Sequence, residues 1–364
     1  MTRLLSRRTL NRTLLARQFL TDRTSRPVVE VIERLVAMQA QEPNWPYIGL
    51  WTRVTGFRHD DLTSLLHDRS VVRSTSLRRT QHLASSKDFR WLRPTIQPSL
   101  DSALRSPYFT EKTSGLDLDE LVAAGREFLA DGTLTRRELG RLFVERYPDR
   151  HGGRLASAVE LKDPMVHPPP DSAWGRWGTP ASVTVAFADS WIGQPLATER
   201  QLELMIRRYL AAFGPASVRD MQAWSGLTRL REIVDGLRPT LQVFRTDQGT
   251  ELFDLRDTSP ADDDIPAPVR FLPAFDNVVL GHADRSRIVS DEDRKRVCPG
   301  QAWVEPTFLV DGFVRGSWSL KNSTLTIVPF RALSRGEASA VLAEAELLLP
   351  FITDNMPEAT ITFG

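Results

Sequence analysis

One cysteine, Cys298, is all that the 364 residues contain. That excludes an intramolecular disulfide and a cysteine-rich metal site, and the six histidines are scattered without metal-ligand spacing. No run of about eighteen apolar residues occurs. The opening Met1-Thr-Arg-Leu-Leu-Ser-Arg-Arg8 also lacks the apolar stretch of a secretory signal. A cytoplasmic protein without metal or cofactor is the expectation. Missing too are a Walker loop, a Gly-x-Gly-x-x-Gly after a strand, a Gly-x-Ser-x-Gly elbow and His-Glu-x-x-His. Nucleotide cofactors, serine hydrolysis and zinc hydrolysis lose support accordingly. Lysine is scarce, at five of 47 basic residues. Positive charge is therefore carried by arginine, which suits a GC-rich genome as well as phosphate recognition.

What is present fits a globular chain of two or three compact units, with 41% hydrophobic residues. The net charge of +1 conceals an asymmetry. Residues 1–110 hold 17 arginines and Lys87 against nine acidic residues, a net of +9, which leaves about −8 on the remainder. The N-terminal third is basic enough to seek a polyanion.

Three stretches repeat one pattern of helices followed by a strand pair. In the first, Pro27 opens a helix whose apolar spacing runs through Val28, Ile32 and Leu35 to Gln39. Glu42 precedes Pro43, so the helix is expected to stop near Gln41. A helix from His59 and two strands, 71–77 and 80–84, turning at Arg78-Arg79, complete the unit. The second copy starts with the capping box Thr135-Arg-Arg-Glu138, and its strands are expected at 174–177 and 182–187 around Gly178-Thr-Pro180. The third is a helix-turn-helix with a tight turn at Ser225-Gly226, a helix capped by Thr228, and a hairpin over 241–245 and 250–254.

After the acidic, proline-rich linker 259–268 the signal turns to strands at 269–272, 278–280, 303–310, 313–319 and 324–329, then one helix near 334–348. The expected class is α+β: three tandem winged-helix units (1–110, 111–195, 196–258) shaping a concave DNA-binding surface. A small C-terminal β-barrel with a covering helix follows over 268–364.

Gln39 lies on an apolar stripe, where an amide is costly unless hydrogen-bonded, and Gln41 lies at the expected helix end. Residue chemistry alone assigns such glutamines to capping or to satisfying a buried group. The chain resembles the AlkZ/YcaQ winged-helix DNA glycosylases, however, in several segments taken together. These are Gln39-Ala-Gln41, Arg78-Arg79-Thr80-Gln81-His82-Leu83, Phe213-Gly214-Pro215-Ala216, Leu272-Pro273-Ala274-Phe275-Asp276, Asp284-Arg285-Ser286 and Trp303-Val304-Glu305-Pro306-Thr307. Glutamine at both motif positions places the resemblance with the AlkZ branch. Family members often show Met-Arg-Gly-Thr-x-His where this chain reads Leu77-Arg78-Arg79-Thr80-Gln81-His82. Arginine thus stands where glycine eases a tight turn, and adds a positive charge.

The resemblance implies a monomeric, monofunctional glycosylase acting on double-stranded DNA with bulky N7-alkylated purines. It extends to unhooking interstrand crosslinks and to self-resistance in producers of alkylating natural products. Gln39 and Gln41 are then the catalytic pair, orienting water at C1′. Arg73, Arg78, Arg79, Arg285 and Arg287 are candidates for DNA contact, each with a solvated surface role as the competing reading. His82 is open between a core histidine and site support, and Asp276 between buttressing a glutamine and capping a turn. The competing class is a non-catalytic winged-helix DNA-binding protein such as a regulator, since fold does not fix function.

Overall fold

A computed structural model describes residues 3–170, 174, 183–300 and 302–364. Most of the expected strands and turn at 174–182 lie outside that set. Four sheets organise the described residues. Three are small and three-stranded, and the fourth has five strands.

In the first unit the short helices Val28–Arg34, Trp45–Trp51 and His59–His67 precede the hairpin Val71–Thr75 and Gln81–Ser85. The first helix is shorter than its apolar spacing implies. It stops at Arg34, and Val36 then adopts a left-handed φ of 67°. A β-branched residue there cannot continue a helix. The chain instead enters the two-residue strand Met38–Gln39, which pairs antiparallel with Gln81–Ser85 in the register Gln39 to His82. The expectation that Gln39 and Gln41 sit on a helix is therefore corrected. Gln39 ends that strand, buried, and Gln41 follows two residues on in a bend, exposed.

The second unit keeps its capping box. Thr135 accepts from the Glu138 N–H, and Glu138 accepts from the Thr135 N–H, at the start of Arg136–Arg146. The helix Gly152–Lys162 packs tightly on it, because an added Cβ at Gly152 would lie 1.9 Å from the Gly140 carbonyl oxygen. Thr184–Phe187 pairs with both Leu134–Thr135 and Met165–Val166.

The third unit has the helices Leu202–Phe213, Val218–Ser225 and Arg231–Leu237, and the hairpin Leu241–Thr246 with Glu251–Leu255. Gly226 ends the middle helix at φ 78° as expected, but Thr228 does not cap the next one, which starts after Leu230. The chain start belongs here and not with the first unit. Leu4–Leu5 runs parallel to Leu241–Thr246, and Arg17 forms a buried two-bond pair with Asp254. Gly214 is required at that junction, since a Cβ would meet Asp254 Oδ1 at 2.6 Å and Arg17 Nη1 at 2.9 Å.

The C-terminal unit corrects the expected barrel. Arg270–Leu272, Thr307–Val310, Phe313–Lys321, Thr324–Pro329 and Thr360–Phe363 form an open sheet in chain order, without closure. Residues 277–280 are a short helix, not a strand. The helix Arg335–Ile352 buries Val341, Ala345 and Leu348 against Phe271, Phe308 and Trp318 of the sheet. Among the described residues no helix is long and apolar enough to cross a membrane.

Candidate active site

The edge strand Met38–Gln39 presents the two glutamines differently. Gln39 is buried at 8% exposure, and its Oε1 accepts from Arg78 Nη2 at 2.7 Å. Gln41 is exposed just past the strand end, its Oε1 3.5 Å from the Gln81 N–H. A carboxamide oxygen has two lone pairs, so the Arg78 bond fixes the Gln39 amide without consuming its acceptor capacity.

Arg78 and Arg79 form the tip of the first hairpin, and both are left-handed, with φ 52° and 63°. Arg79 stands where glycine would ease the turn, and the turn forms with arginine there. Arg78 turns inward and its Nη1 donates to the Trp224 carbonyl at 2.9 Å. That carbonyl lies in the last turn of Val218–Ser225, where helix ends leave acceptors unpaired and favour cations. Burial first, then repulsion from Arg285, lowers the Arg78 pKa to about 10. It stays cationic at neutral pH. The helix-turn-helix thus docks on the tip of the first hairpin, and an added Cβ at Gly226 would come within 2.8 Å of Ser99 Oγ.

His82 lies beside this pair, its Nε2 3.5 Å from Arg78 Nη2 and its Nδ1 3.0 Å from the Thr80 carbonyl. The carbonyl can only accept, so Nδ1 carries the hydrogen and Nε2 is a lone pair. Burial, reinforced by Arg78, lowers the His82 pKa to about 3. The ring is neutral.

Beside the hairpin tip runs a cleft of about 690 Å³ between the first and third units. Its walls include Arg78, Arg79, Arg200 and Arg229, with no carboxylate among its lining residues. Arg79, Arg200 and Arg229 are exposed. None of the three has an ion pair among the described residues. Arg200 and Arg229 were not singled out in the sequence. Arg229 lies in the turn between the two helices Val218–Ser225 and Arg231–Leu237, and Arg200 lies just before Leu202–Phe213.

The remaining candidates separate. Arg285 is half-buried, near enough to repel Arg78, and donates to Cys298 Sγ at 2.9 Å. Arg73 and Arg287 are corrected from surface to interior, at 3% and 4% exposure. Arg287 donates to the Pro215 carbonyl at 2.9 Å. Arg73 donates to the carbonyls of Ala40 and Gln41 at 2.9 and 3.0 Å. Asp276 does not reach the glutamines. It caps the helix Asn277–Leu280 and pairs through both oxygens with buried Arg53. Its neighbour Asn277 does bear on the site, donating to the Ala37 carbonyl at 2.7 Å just before the glutamine strand.

A positively charged cleft whose Arg78 holds the Gln39 amide, built beside a helix-turn-helix and a hairpin tip, suits a protein directed at nucleic acid. The family model described as DNA glycosylase AlkZ-like matches residues 32–351, and the chain belongs to that family. It is accordingly an enzyme of the DNA glycosylase class. It is 25% identical over 363 residues to the interstrand DNA cross-link repair glycosylase of Streptomyces sahachiroi, covering 90% of this chain and 92% of that one. The solved structure of Streptomyces sahachiroi DNA glycosylase AlkZ superposes with a TM-score of 0.79 at 22% identity, over 99% of this chain and 100% of that one. That likeness shows the mixed α and β fold.

Proposed function

We propose that the chain is a monomeric, monofunctional glycosylase that hydrolyses the bond between C1′ and N9 of bulky N7-alkylated purines in double-stranded DNA. Interstrand crosslinks fall within this range, in keeping with the name of the Streptomyces sahachiroi relative. The three small-sheet units serve as winged helices, and the duplex follows the Arg79, Arg200 and Arg229 cleft. Arg285 adds to the same field.

Alkylation at N7 makes the purine cationic, so the base leaves with the C1′–N9 electron pair as a neutral species and needs no strong acid. Positive charge develops at C1′, and water oxygen forms the new bond there and loses its proton to solvent. Neither glutamine is a base at neutral pH. Their carboxamide oxygens instead hold the water and face the developing charge as fixed dipoles. Exposed Gln41 contacts the water most directly. Gln39, immobilised by Arg78, supplies a preset dipole behind it. No lysine belongs to this cluster, which supports hydrolysis over a Schiff-base lyase step.

The single observation that carries the reading is the pairing of Gln39 with Arg78 at 2.7 Å, because it joins the amide motif to the cationic cleft. The test is incubation with duplex containing N7-methylguanine or a larger N7 adduct, followed by alkaline cleavage of the abasic site. Base release by the parent chain, lost in both Gln39→Ala and Gln41→Ala with duplex binding retained, supports the proposal. Tight binding without release in the parent chain overturns it and leaves a DNA-binding protein.

A further inference from the structure

We infer that the second unit positions Gln41 for the reaction through a buried relay of Glu160, His167 and Arg73. The inference rests on the glycosylase reading above, because it gives the second unit a part in the chemical step and not only in holding DNA.

The ladder of the glutamine strand ends at Gln39, apart from one further bond from Ala40 N to the Gln81 carbonyl at 2.7 Å. The carbonyls of Ala40 and Gln41 therefore need partners from elsewhere. Arg73 supplies both, through Nε and Nη2. The fork of a planar guanidinium fixes two carbonyls in one geometry, which a single ammonium cannot do.

Arg73 is itself oriented from the second unit. Its Nη1 lies 2.6 Å from His167 Nδ1. Arginine is only a donor, so Nδ1 is the acceptor and the ring hydrogen sits on Nε2. That Nε2 donates to Glu160 Oε1 at 3.0 Å. Glu160 also accepts from Thr75 Oγ1 and pairs with Arg136. The His167 N–H closes the circuit by donating to the Arg73 carbonyl at 2.7 Å. Arg73, His167 and Glu160 are each at most 3% exposed.

A buried ionic network is rarely the most stabilising way to fill a core, and an apolar replacement of equal volume is often as stable. Its directional bonds do set geometry. Here they end on the backbone of Gln41, whose side chain is exposed and among the described residues is otherwise held by the long contact from the Gln81 N–H.

Three variants separate positioning from general packing. His167→Leu removes the acceptor facing Arg73, and His167→Asn restores an acceptor near the Nδ1 position. Arg73→Lys keeps the charge and loses the fork, and it gives the reading if His167→Leu does not fold. Three measurements are made: the single-turnover rate of N7-adduct release at saturating enzyme, duplex affinity, and amide hydrogen exchange at Ala40 and Gln81. Expected for His167→Leu and Arg73→Lys is a rate loss on the order of 10- to 100-fold with duplex affinity little changed, and faster exchange at both amides. His167→Asn recovers most of the rate. Parental rate and parental exchange in folded His167→Leu or Arg73→Lys overturn the relay. So does an unrescued loss that matches a fall in duplex affinity. If the parent chain releases no base, the glycosylase reading fails by itself, and the exchange measurement still decides whether the relay holds the Gln41 backbone.

Discussion

Arg78 Nη2 donates to Gln39 Oε1 at 2.7 Å, and the same guanidinium reaches the Trp224 carbonyl of the third unit at 2.9 Å. One side chain thus ties the proposed catalytic strand to the helix-turn-helix. A charge-assisted bond of this kind contributes about 1.5–3 kcal/mol. Arg78→Met keeps much of the volume and removes both bonds. The expected outcome is base release slowed by roughly 10²-fold, with a smaller change in duplex affinity. An unaltered single-turnover rate would detach Arg78 from the site.

Arg79 is the exposed partner on that turn, held at φ 63°. Left-handed backbone costs a residue with a Cβ about 1–2 kcal/mol, and glycine avoids that cost. Arg79→Gly is therefore expected to be more stable than Arg79→Ala by about 1 kcal/mol in chemical denaturation. Both lose the charge, so both are expected to flatten the salt dependence of duplex binding by about one unit of slope. Equal stabilities would mean that the turn relaxes when the arginine is removed.

The helix-turn-helix, the Thr135 capping box and the first hairpin were legible because each rests on local chemistry: glycine in a left-handed cap, a hydroxyl with a carboxylate three residues on, strands meeting at a short turn. The nature of the Gln39 segment was not. Apolar spacing runs unbroken through Leu35 to Gln39, and nothing local announces that Val36 breaks the helix. Glu160 and His167 were missed for a different reason. Their first-unit partners, Thr75 and Arg73, lie 85 and 94 positions away along the chain, and only folding brings them together. A carboxylate on the apolar side of Gly152–Lys162, one turn beyond Ala156, was the available hint. The pairing of Leu4–Leu5 with Leu241–Thr246 left no hint, since a two-residue strand carries too little pattern.

Asp276 and Arg53 form a buried pair at 2.8 Å, with side-chain exposures of 2% and 0%. Asp276→Asn leaves Arg53 buried without its counter-charge, at an expected cost of about 3–5 kcal/mol. Because neither residue touches the glutamines, the folded fraction is expected to release base at the parental rate. A specific rate loss at full stability would return Asp276 to the site.

Stability is expected to fall on acidification through buried neutral histidines. Burial, then Arg78, lowers His82 to about 3, and burial, then Arg287, lowers His282 to about 3. Unfolded, both protonate near 6.5. Between these values the unfolded chain binds more protons, so this stabilisation is complete above about pH 6.5 and is lost as pH falls toward 3. Glu160, lowered by Arg136 and His167 against the cost of burial, adds a loss in the same direction below its ordinary carboxylate range. His282→Gln retains a donor toward the Phe213 carbonyl but cannot titrate. It is expected to reduce the slope of denaturation midpoint against pH. A profile that stays flat from pH 7 to about 4 would contradict neutral burial.

Arg200 and Arg229 make the sharpest test of the DNA path, because they line the cleft with Arg78 and Arg79, are exposed and have no ion pair among the described residues. A cation already paired to a carboxylate gains little from a phosphate, whereas a free one releases a counterion from the duplex when it docks. Each substitution to alanine is expected to lower the slope of log affinity against log salt by about 0.9. The loss is expected to be uniform across duplex sequences, since phosphate contacts carry no base information. Single-turnover release at saturating enzyme is expected to stay at the parental value, because these side chains face the backbone and not the deoxyribose under attack. If both substitutions leave the salt slope unchanged, the duplex does not run between the first wing and the helix-turn-helix. The glutamines would then have to be approached from the opposite rim of the wing, where Thr75, Gln81, Tyr108 and Arg136 surround a second hollow of about 390 Å³.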